Sequence, residues 1–413
     1  MKKLTIWILQ TGEPLHIDDG NPRPMRAMNL SNKLVEAGHN VVLWSSAFSH
    51  QSKKHRTKEY IVCNVNSNLE VRLIPSCGYK KHIGLMRLFD HFQLAWNLKS
   101  LLKKEKLAPD IAFIGYPPIE TAAVMSKWLK NRKVPMMLDV KDLWPSMFVD
   151  AFPKVVQPFI RVIFHPYFYL AKRAIIDVQG VSAMAPAFLD WVLKFADKVP
   201  GKNDRVFRLT SPEGGIDKGE LLQAERWWKS CGVSNSRPVV FFAGSFMSVF
   251  DFQPVFKAAK ENSNCQFVLC GDGDYLDKVK KQMSSLENVI FPGWVNRPQI
   301  EALAKISIAS LAPYKNIDNF ILNTPNKIVD SLLLGLPILS PLRGEVATLI
   351  ESYNVGFTYG HSKSLGSCIQ SLIDNDTMQE EMSKSAKNLY EDEFQFNKVY
   401  DGLVCHLENM AEK

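Results

Sequence analysis

Short apolar runs alternate with longer amphipathic segments along the whole chain, and this rhythm constrains the fold more than any other feature. A parallel strand is buried on both faces and its crossover packs as a helix, so such a rhythm is what βαβ units require. In the first half the strand candidates are Leu4–Leu9, Val41–Ser45, Val71–Pro75, Ile111–Tyr116, Met136–Val140 and Ile175–Val181. A helix is expected over Arg23–Ala37, closed by Gly38. The rhythm restarts at Val239, after polar stretches at 200–205 and 211–215. Its second set of candidates is Val239–Ala243, Gln266–Cys270, Val289–Phe291, Ile306–Leu311, Pro337–Ser340 and Val355–Thr358. A chain of 413 residues exceeds what one core usually supports. Two α/β domains are therefore expected, over 1–205 and 206–395, with a helix over 396–413 packing back on the first. No period of the solenoid kind repeats.

Hydrophobic residues make up 46% and charged residues 22%, which argues for a folded chain and against disorder. The seven cysteines are scattered, with no CxxC pair and no zinc-type Cys/His spacing. The opening MKKLTIWILQTGEP has two lysines before an apolar run, but that run ends at Gln10 and no small-residue cleavage site follows. It reads as a buried first strand, and a cytoplasmic protein is expected. Residues 1–200 carry 28 Lys and Arg against 16 Asp and Glu, whereas residues 201–413 carry 22 against 26. A basic half suggests that one domain faces an anionic surface, for which nucleic acid and anionic lipid are both suited.

Two stretches break the rhythm. Ile83–Lys106 places Leu85, Phe89, Phe92 and Trp96 at helical spacing, with Lys80, Lys81, Arg87, Lys99, Lys103, Lys104 and Lys106 around them. It reads either as a core-facing helix with a solvated charged face or as a helix lying at a membrane interface. Phe152–Leu170 is apolar and aromatic but is broken by Pro153, Pro158 and Pro166, charged at Arg161, and too short to span a bilayer.

Ligands of doubly wound sheets bind beyond the carboxyl ends of the strands. After Val239–Ala243 comes Gly244-Ser245-Phe246, where a glycine lets the backbone approach a phosphate, although any strand-to-helix turn can hold one. Asp272-Gly273-Asp274 imitates a metal-binding pair of carboxylates, but its position between a strand and the helix Tyr275–Met283 favours a tight turn with Asp274 as N-cap. The segment 323–337 reads as a helix with Thr324 as N-cap and Pro325 in its first turn, closed by Gly335. Lys327 and Asp330 share one face of it, the lysine suited to a diphosphate and the carboxylate to ribose hydroxyls; a surface ion pair is the alternative. Asp139-Val140-Lys141-Asp142 sets charges at a buried strand's tip, which favours function. The loop after the first strand holds Gly12, Arg23 and Arg26, placed to hold a phosphate or sugar.

On these residues the chain resembles the retaining glycosyltransferases of family 4, and among them the bacterial L-fucosamine-type transferases of O-antigen and capsule assembly. The resemblance covers nearly the whole chain. It rests on AGHNVVLWSSAFSH (37–50), DVKDLWP (139–145), CGDGDYL (270–276), PNKIVDSLLLGLPILSPLRGE (325–345) and NKVYDGL (397–403). It implies the GT-B fold, two Rossmann-like domains with parallel sheets facing across a cleft. It also implies a nucleotide sugar, with a UDP-sugar expected, in the second domain and a lipid-linked saccharide acceptor in the first. In the family two glutamates eight positions apart contact the donor; Asp330 matches the second and Leu322 stands at the first. The family's Arg and Lys that clamp the diphosphate fall on Ser245 and Phe250, which leaves Lys327 as the leading diphosphate ligand. Val295 and Asn296 match the segment whose backbone meets the base, and Gly244, Ser245, Asn323 and Thr324 complete the expected donor set. The family's acceptor-side His falls on Lys141, followed by Asp142, so Lys141, Asp142 and Lys327 are the expected catalytic group and Gly12, Arg23 and Arg26 the acceptor group.

The implied chemistry is sugar transfer with retention, without metal or other cofactor, at the cytoplasmic face of an anionic inner membrane and with no nucleic-acid partner. Two alternatives stay open. A nucleotide-sugar 2-epimerase of the same fold would use a carboxylate and histidine set not found here. A non-catalytic subunit binding a sugar nucleotide or the membrane is kept open by Leu322 and the lost basic pair.

Overall fold

The computed structural model describes residues 2–20, 22–80, 84–150, 152–212, 214–360 and 362–412. It divides into two compact units, Met1–Phe207 with Asn397–Lys413, and Arg208–Phe396.

The strands of the first unit are β1 (Thr5–Leu9), β2 (Asn40–Ser46), β3 (Phe48–Ser49), β4 (Lys54–His55), β5 (Ile61–Asn66), β6 (Leu69–Ile74), β7 (Ile111–Tyr116), β8 (Met136–Val140), β9 (Gly180–Ala183) and β10 (Arg205–Val206). Eight form one sheet in the order β10-β9-β8-β7-β1-β2-β6-β5, parallel except for the β5–β6 hairpin at the edge; β3 and β4 pair separately. Strands β7 and β8 are buried at every residue, which is why IAFIGY and MMLDV read as unbroken apolar runs. The winding reverses at β1, which lies between β2 and β7. The helix Phe396–Ala411 belongs, from Asn397 on, to this unit, and buries Tyr400, Leu403 and Leu407. Glu408 pairs with His39 at 2.9 Å, and Asn203 O lies 3.1 Å from His406 Nε2.

The second unit is the doubly wound sheet without edge additions. Its strands are β11 (Val239–Ala243), β12 (Gln266–Cys270), β13 (Val289–Gly293), β14 (Ala309–Leu311), β15 (Ile338–Ser340) and β16 (Gly356–Thr358), all parallel, in the order β13-β12-β11-β14-β15-β16. Here the winding reverses at β11, between β12 and β14. The helix Asn326–Leu334 ends at Gly335, which is left-handed at φ 65°, so the chain can turn directly into β15. Together the units form two Rossmann-like α/β folds with parallel sheets, the GT-B architecture.

Several local expectations are corrected. Residues around Ile175 are helical, in His165–Ile176, because Ala174 and Ile175 are its inner face; the strand is Gly180–Ala183. The edge strand Ile61–Asn66 escaped notice because alternate residues face solvent and two of those three, Asn64 and Asn66, are polar. Thr324 does not cap its helix: Pro325 occupies the N-cap and Thr324 is fully buried before it. Asp274 likewise precedes the N-cap, which is Tyr275. Lys81 and Ile83 lie outside the described residues.

Arg26 is turned inward rather than toward a ligand. Its Nε lies 3.0 Å from Asp139 Oδ2 and its Nη1 donates to Phe207 O at 2.9 Å, with both charged side chains almost fully buried. Ser182 Oγ donates to the other Asp139 oxygen at 2.6 Å. Removing one partner of a buried pair strands the other charge in low dielectric. Arg26→Leu should therefore cost about 3–5 kcal/mol in equilibrium urea unfolding. Arg23→Ala, at an exposed side chain, should change it by less than about 0.5 kcal/mol. Equal stability of the two variants would refute this role.

Candidate functional site

Each reversal point carries a candidate site. In the second unit the loops after β11, β12 and β13 are knit together by backbone bonds. Gly244 N donates to Cys270 O at 3.0 Å, Gly271 N to Gly293 O at 2.7 Å and Phe246 N to Asp272 O at 2.8 Å. A Cβ on Gly271 would strike the Gly244 carbonyl, and one on Gly244, at φ 150°, would strike the Lys327 ammonium. The glycines are thus what allows this close approach. Asp272 and Asp274 sit in this turn, exposed, with Asp272 Oδ1 accepting from Gly273 N at 2.8 Å.

Lys327 stands one residue into its helix, beside the end of β11. Its Nζ donates to Ala243 O and lies 4.3 Å from the Phe242 ring centroid and 5.3 Å from that of Phe250. A carbonyl and two ring faces thus help to hold this ammonium in place. Phe250 is buried in the same aromatic cluster, against Tyr314 at 4.7 Å. Asp330, one turn further, accepts from Ser211 Oγ at 3.1 Å.

The other expected donor residues divide into exposed and structural. Ser245 is exposed at the β11 tip. Asn296 caps the helix Arg297–Ala304 in a reciprocal box with Gln299, so its side chain is engaged, and Val295 is buried in the core. Asn323 is buried with its Oδ1 accepting from Thr324 N at 2.9 Å, so both brace the loop before the helix. Trp294, 75% exposed directly after β13, was singled out by no local pattern.

In the first unit a cavity of about 200 Å³ opens above the ends of β1, β2, β7 and β8. Gly12, Lys141 and Asp142 line it; Arg23 and Arg26 are not among its lining residues. Lys141 Nζ pairs with Glu13 and lies 3.7 Å from Asp139 Oδ2. The other Glu13 oxygen accepts from Ala27 N at 2.8 Å, in the first turn of the helix Arg26–Glu36, where the helix dipole favours an anion. The opposite wall was not foreseen: His50, Tyr79, Arg87, Asp90 and His91 come from distant loops and from the helix Leu85–Leu102. Arg87 lies 5.1 Å over Trp144 and 5.8 Å over Tyr79, and Asp90 accepts from Gly78 N at 2.6 Å.

Under this wall His91 Nδ1 lies 3.9 Å from Glu120 Oε2, and Tyr167 Oη donates to Glu120 Oε1 at 2.9 Å. Burial pushes the Glu120 carboxyl up to about 7 and, with Arg87 and His50 adding to it, pushes the His91 imidazole down to about 3. Both shifts favour the neutral forms, so the contact is not an ion pair. The raised Glu120 contributes stability that is complete below its ordinary pKa and is lost as pH rises through 7; the depressed His91 contributes stability present above its ordinary pKa and lost as pH falls from there toward 3. Glu120→Gln, which keeps an acceptor for Tyr167, should therefore gain thermal stability relative to the parent as pH rises from about 4.5 to 7. A melting-temperature difference independent of pH would show that Glu120 titrates normally.

Residues 224–389 match the family Glycosyl transferases group 1, so the second unit carries a domain of that class. No curated protein matches the chain. Among solved structures it is similar to sucrose-phosphate synthase from Thermosynechococcus elongatus, with TM-score 0.73, 12% identity and 99% of each chain covered. It is also similar to Anabaena HepE in complex with UDP-glucose, with TM-score 0.64, 15% identity, 98% of this chain and 100% of that one. A third is WaaG, a glycosyltransferase involved in lipopolysaccharide biosynthesis, with TM-score 0.63, 13% identity, 98% of this chain and 99% of that one.

Proposed function

We propose that the protein is a retaining glycosyltransferase of family 4, of the fucosamine type, moving a sugar from a UDP-sugar to a lipid-linked saccharide in surface polysaccharide assembly. The observation that carries this reading is the fixed Lys327 ammonium beside Gly244, with Asp330 one turn further on the same helix. A diphosphate placed there would meet a lysine, a close glycine backbone and the free N–H groups of a helix start. Those groups stabilise the leaving diphosphate where its charge develops, so no metal is needed. In this reading Asp330 accepts from the ribose hydroxyls. The acceptor lies in the first-unit cavity, where Asp142 orients its hydroxyl. Lys141, paired with Glu13, positions that carboxylate and offsets its charge. The hydroxyl attacks the face that the diphosphate leaves, and a departing phosphate oxygen takes its proton. The basic first 200 residues hold the protein against an anionic cytoplasmic leaflet, each nearby Lys or Arg contributing about 1 kcal/mol. The exposed face of Leu85–Leu102 lies on that leaflet, with Phe92 51% and Trp96 71% exposed.

Calorimetry with UDP tests the donor site. Lys327→Ala should weaken UDP binding by about 1–3 kcal/mol, the scale of a charge-assisted hydrogen bond. Asp330→Ala should weaken UDP but barely change inorganic diphosphate. Unchanged UDP affinity in both variants would remove the site. Transfer from UDP-sugar should also survive EDTA; loss on chelation with recovery on adding manganese would assign Asp272 and Asp274 to a metal instead.

A further inference from the structure

The segment Phe152–Ile163 is apolar, yet it packs on almost nothing. Its helix, Gln157–Ile163, has no buried residue among its seven. Val155 is 87% exposed, Phe159 75%, Val162 74% and Ile163 70%. With the outer face of Leu85–Leu102, it holds roughly half of the large exposed apolar side chains among the described residues. Single exposed apolar residues are ordinary on a soluble surface; a cluster of this size marks a binding face.

Beneath the surface a ladder of rings runs from the inner face of Leu85–Leu102 to the end of this segment, from His91 to Trp144 at 5.6 Å, Trp144 to Phe148 at 4.5 Å and Phe148 to Phe164 at 6.0 Å. Along the segment itself the charge has one sign: Lys154 and Arg161 lie in it and no Asp or Glu does. Further along, Lys172 and Arg173 are paired with Asp197 at 2.7 Å and Asp177 at 3.6 Å. On Leu85–Leu102 the single carboxylate, Asp90, is buried. An anionic bilayer fits both the exposed apolar side chains and the two cations, Lys154 and Arg161, set among them.

We propose that Phe152–Ile163 is an insertion element: Phe159, Val162 and Ile163 enter the acyl boundary of an anionic leaflet while Lys154 and Arg161 stay with the headgroups. This rests on the reading that the first unit docks on a membrane, and adds that the attachment is apolar as well as electrostatic. An electrostatic dock is released by salt, since at about 1 M the Debye length is only about 3 Å; an inserted one is retained.

The test is sedimentation of the full chain with phosphatidylglycerol–phosphatidylethanolamine vesicles at low salt and at about 1 M NaCl. Wild type should remain bound at high salt. The triple variant Phe159→Ser, Val162→Ser, Ile163→Ser should lose about tenfold or more of the high-salt partitioning, keep the parent's melting temperature and keep its affinity for UDP. Phe92→Ser with Trp96→Ser should weaken binding at low salt yet leave a salt-resistant fraction. Release of wild type by salt, or equal high-salt binding by the triple variant, would overturn the proposal. So would a vesicle-free dimer that the triple variant abolishes, because a second copy would then cover the patch. UDP binding is scored separately. Wild type that inserts but binds no UDP would sink the transferase reading alone; wild type that binds UDP but never inserts would sink only this one.

Discussion

A strand paired in parallel with its predecessor cannot be reached by a tight turn. The chain must cross back along the sheet, and the carboxyl ends of the strands gather on one edge. In each unit the winding reverses at the first strand, β1 between β2 and β7, and β11 between β12 and β14. Neighbouring crossovers there leave for opposite faces, and the loops part above the strand ends. The first-unit cavity and the Gly244–Lys327 approach both occupy that gap, although their linings differ. The topology makes the room, and the sequence decides what fills it.

Filling it with charge has a cost that the two units meet differently. In the first, charges alternate inward: Glu13, Lys141, Asp139 and Arg26 each lie against one of opposite sign, and the last two are out of reach of solvent. Such a chain fixes the loop after β1 to the end of β8, but its inner pair is spent on structure. In the second unit the cation is positioned by a carbonyl and two ring faces. A carbonyl and ring faces orient a cation from one side, which suits a group meant to meet an anion. Phe250 therefore has a reason to be aromatic: it forms part of the seat for Lys327.

The interior strands were legible because burial on both faces leaves an unbroken apolar run, as in Ile111–Tyr116, Met136–Val140, Val239–Ala243 and Gln266–Cys270. The edge strand Ile61–Asn66 was not, since one face meets water and two of the three residues there are asparagines. Local spacing also put Lys327 and Asp330 on one helix, because three residues apart is a property of the helix alone. What spacing could not disclose is tertiary. Arg26 looked like a loop cation until Asp139, distant in sequence, claimed it. His50, Tyr79, Arg87 and His91 converge on the cavity from separate segments and carry no shared motif. Thr324 seemed a cap because Thr-Pro so often opens a helix, but Pro325 holds the extended dihedral of the cap position and leaves Thr324 inside.

The helix Leu85–Leu102 joins these considerations. Its inner face gives Asp90, His91 and Leu94 to the cavity, while Leu85, Phe89, Phe92 and Trp96 point to solvent on the other side. A fold that needed only the cavity wall would gain solubility from polar residues on the outer face, at no loss of packing. Retaining aromatics there makes sense if that face is covered in use. Under the proposed membrane reading, the cavity then lies about one helix diameter, roughly 10–12 Å, from the leaflet surface. An acceptor whose lipid stays in the bilayer would have to raise only its head group past a single helix. The basic flanks, the apolar outer face and the polar cavity would then be successive steps along one path, each suited to the part of a lipid-linked saccharide that reaches it.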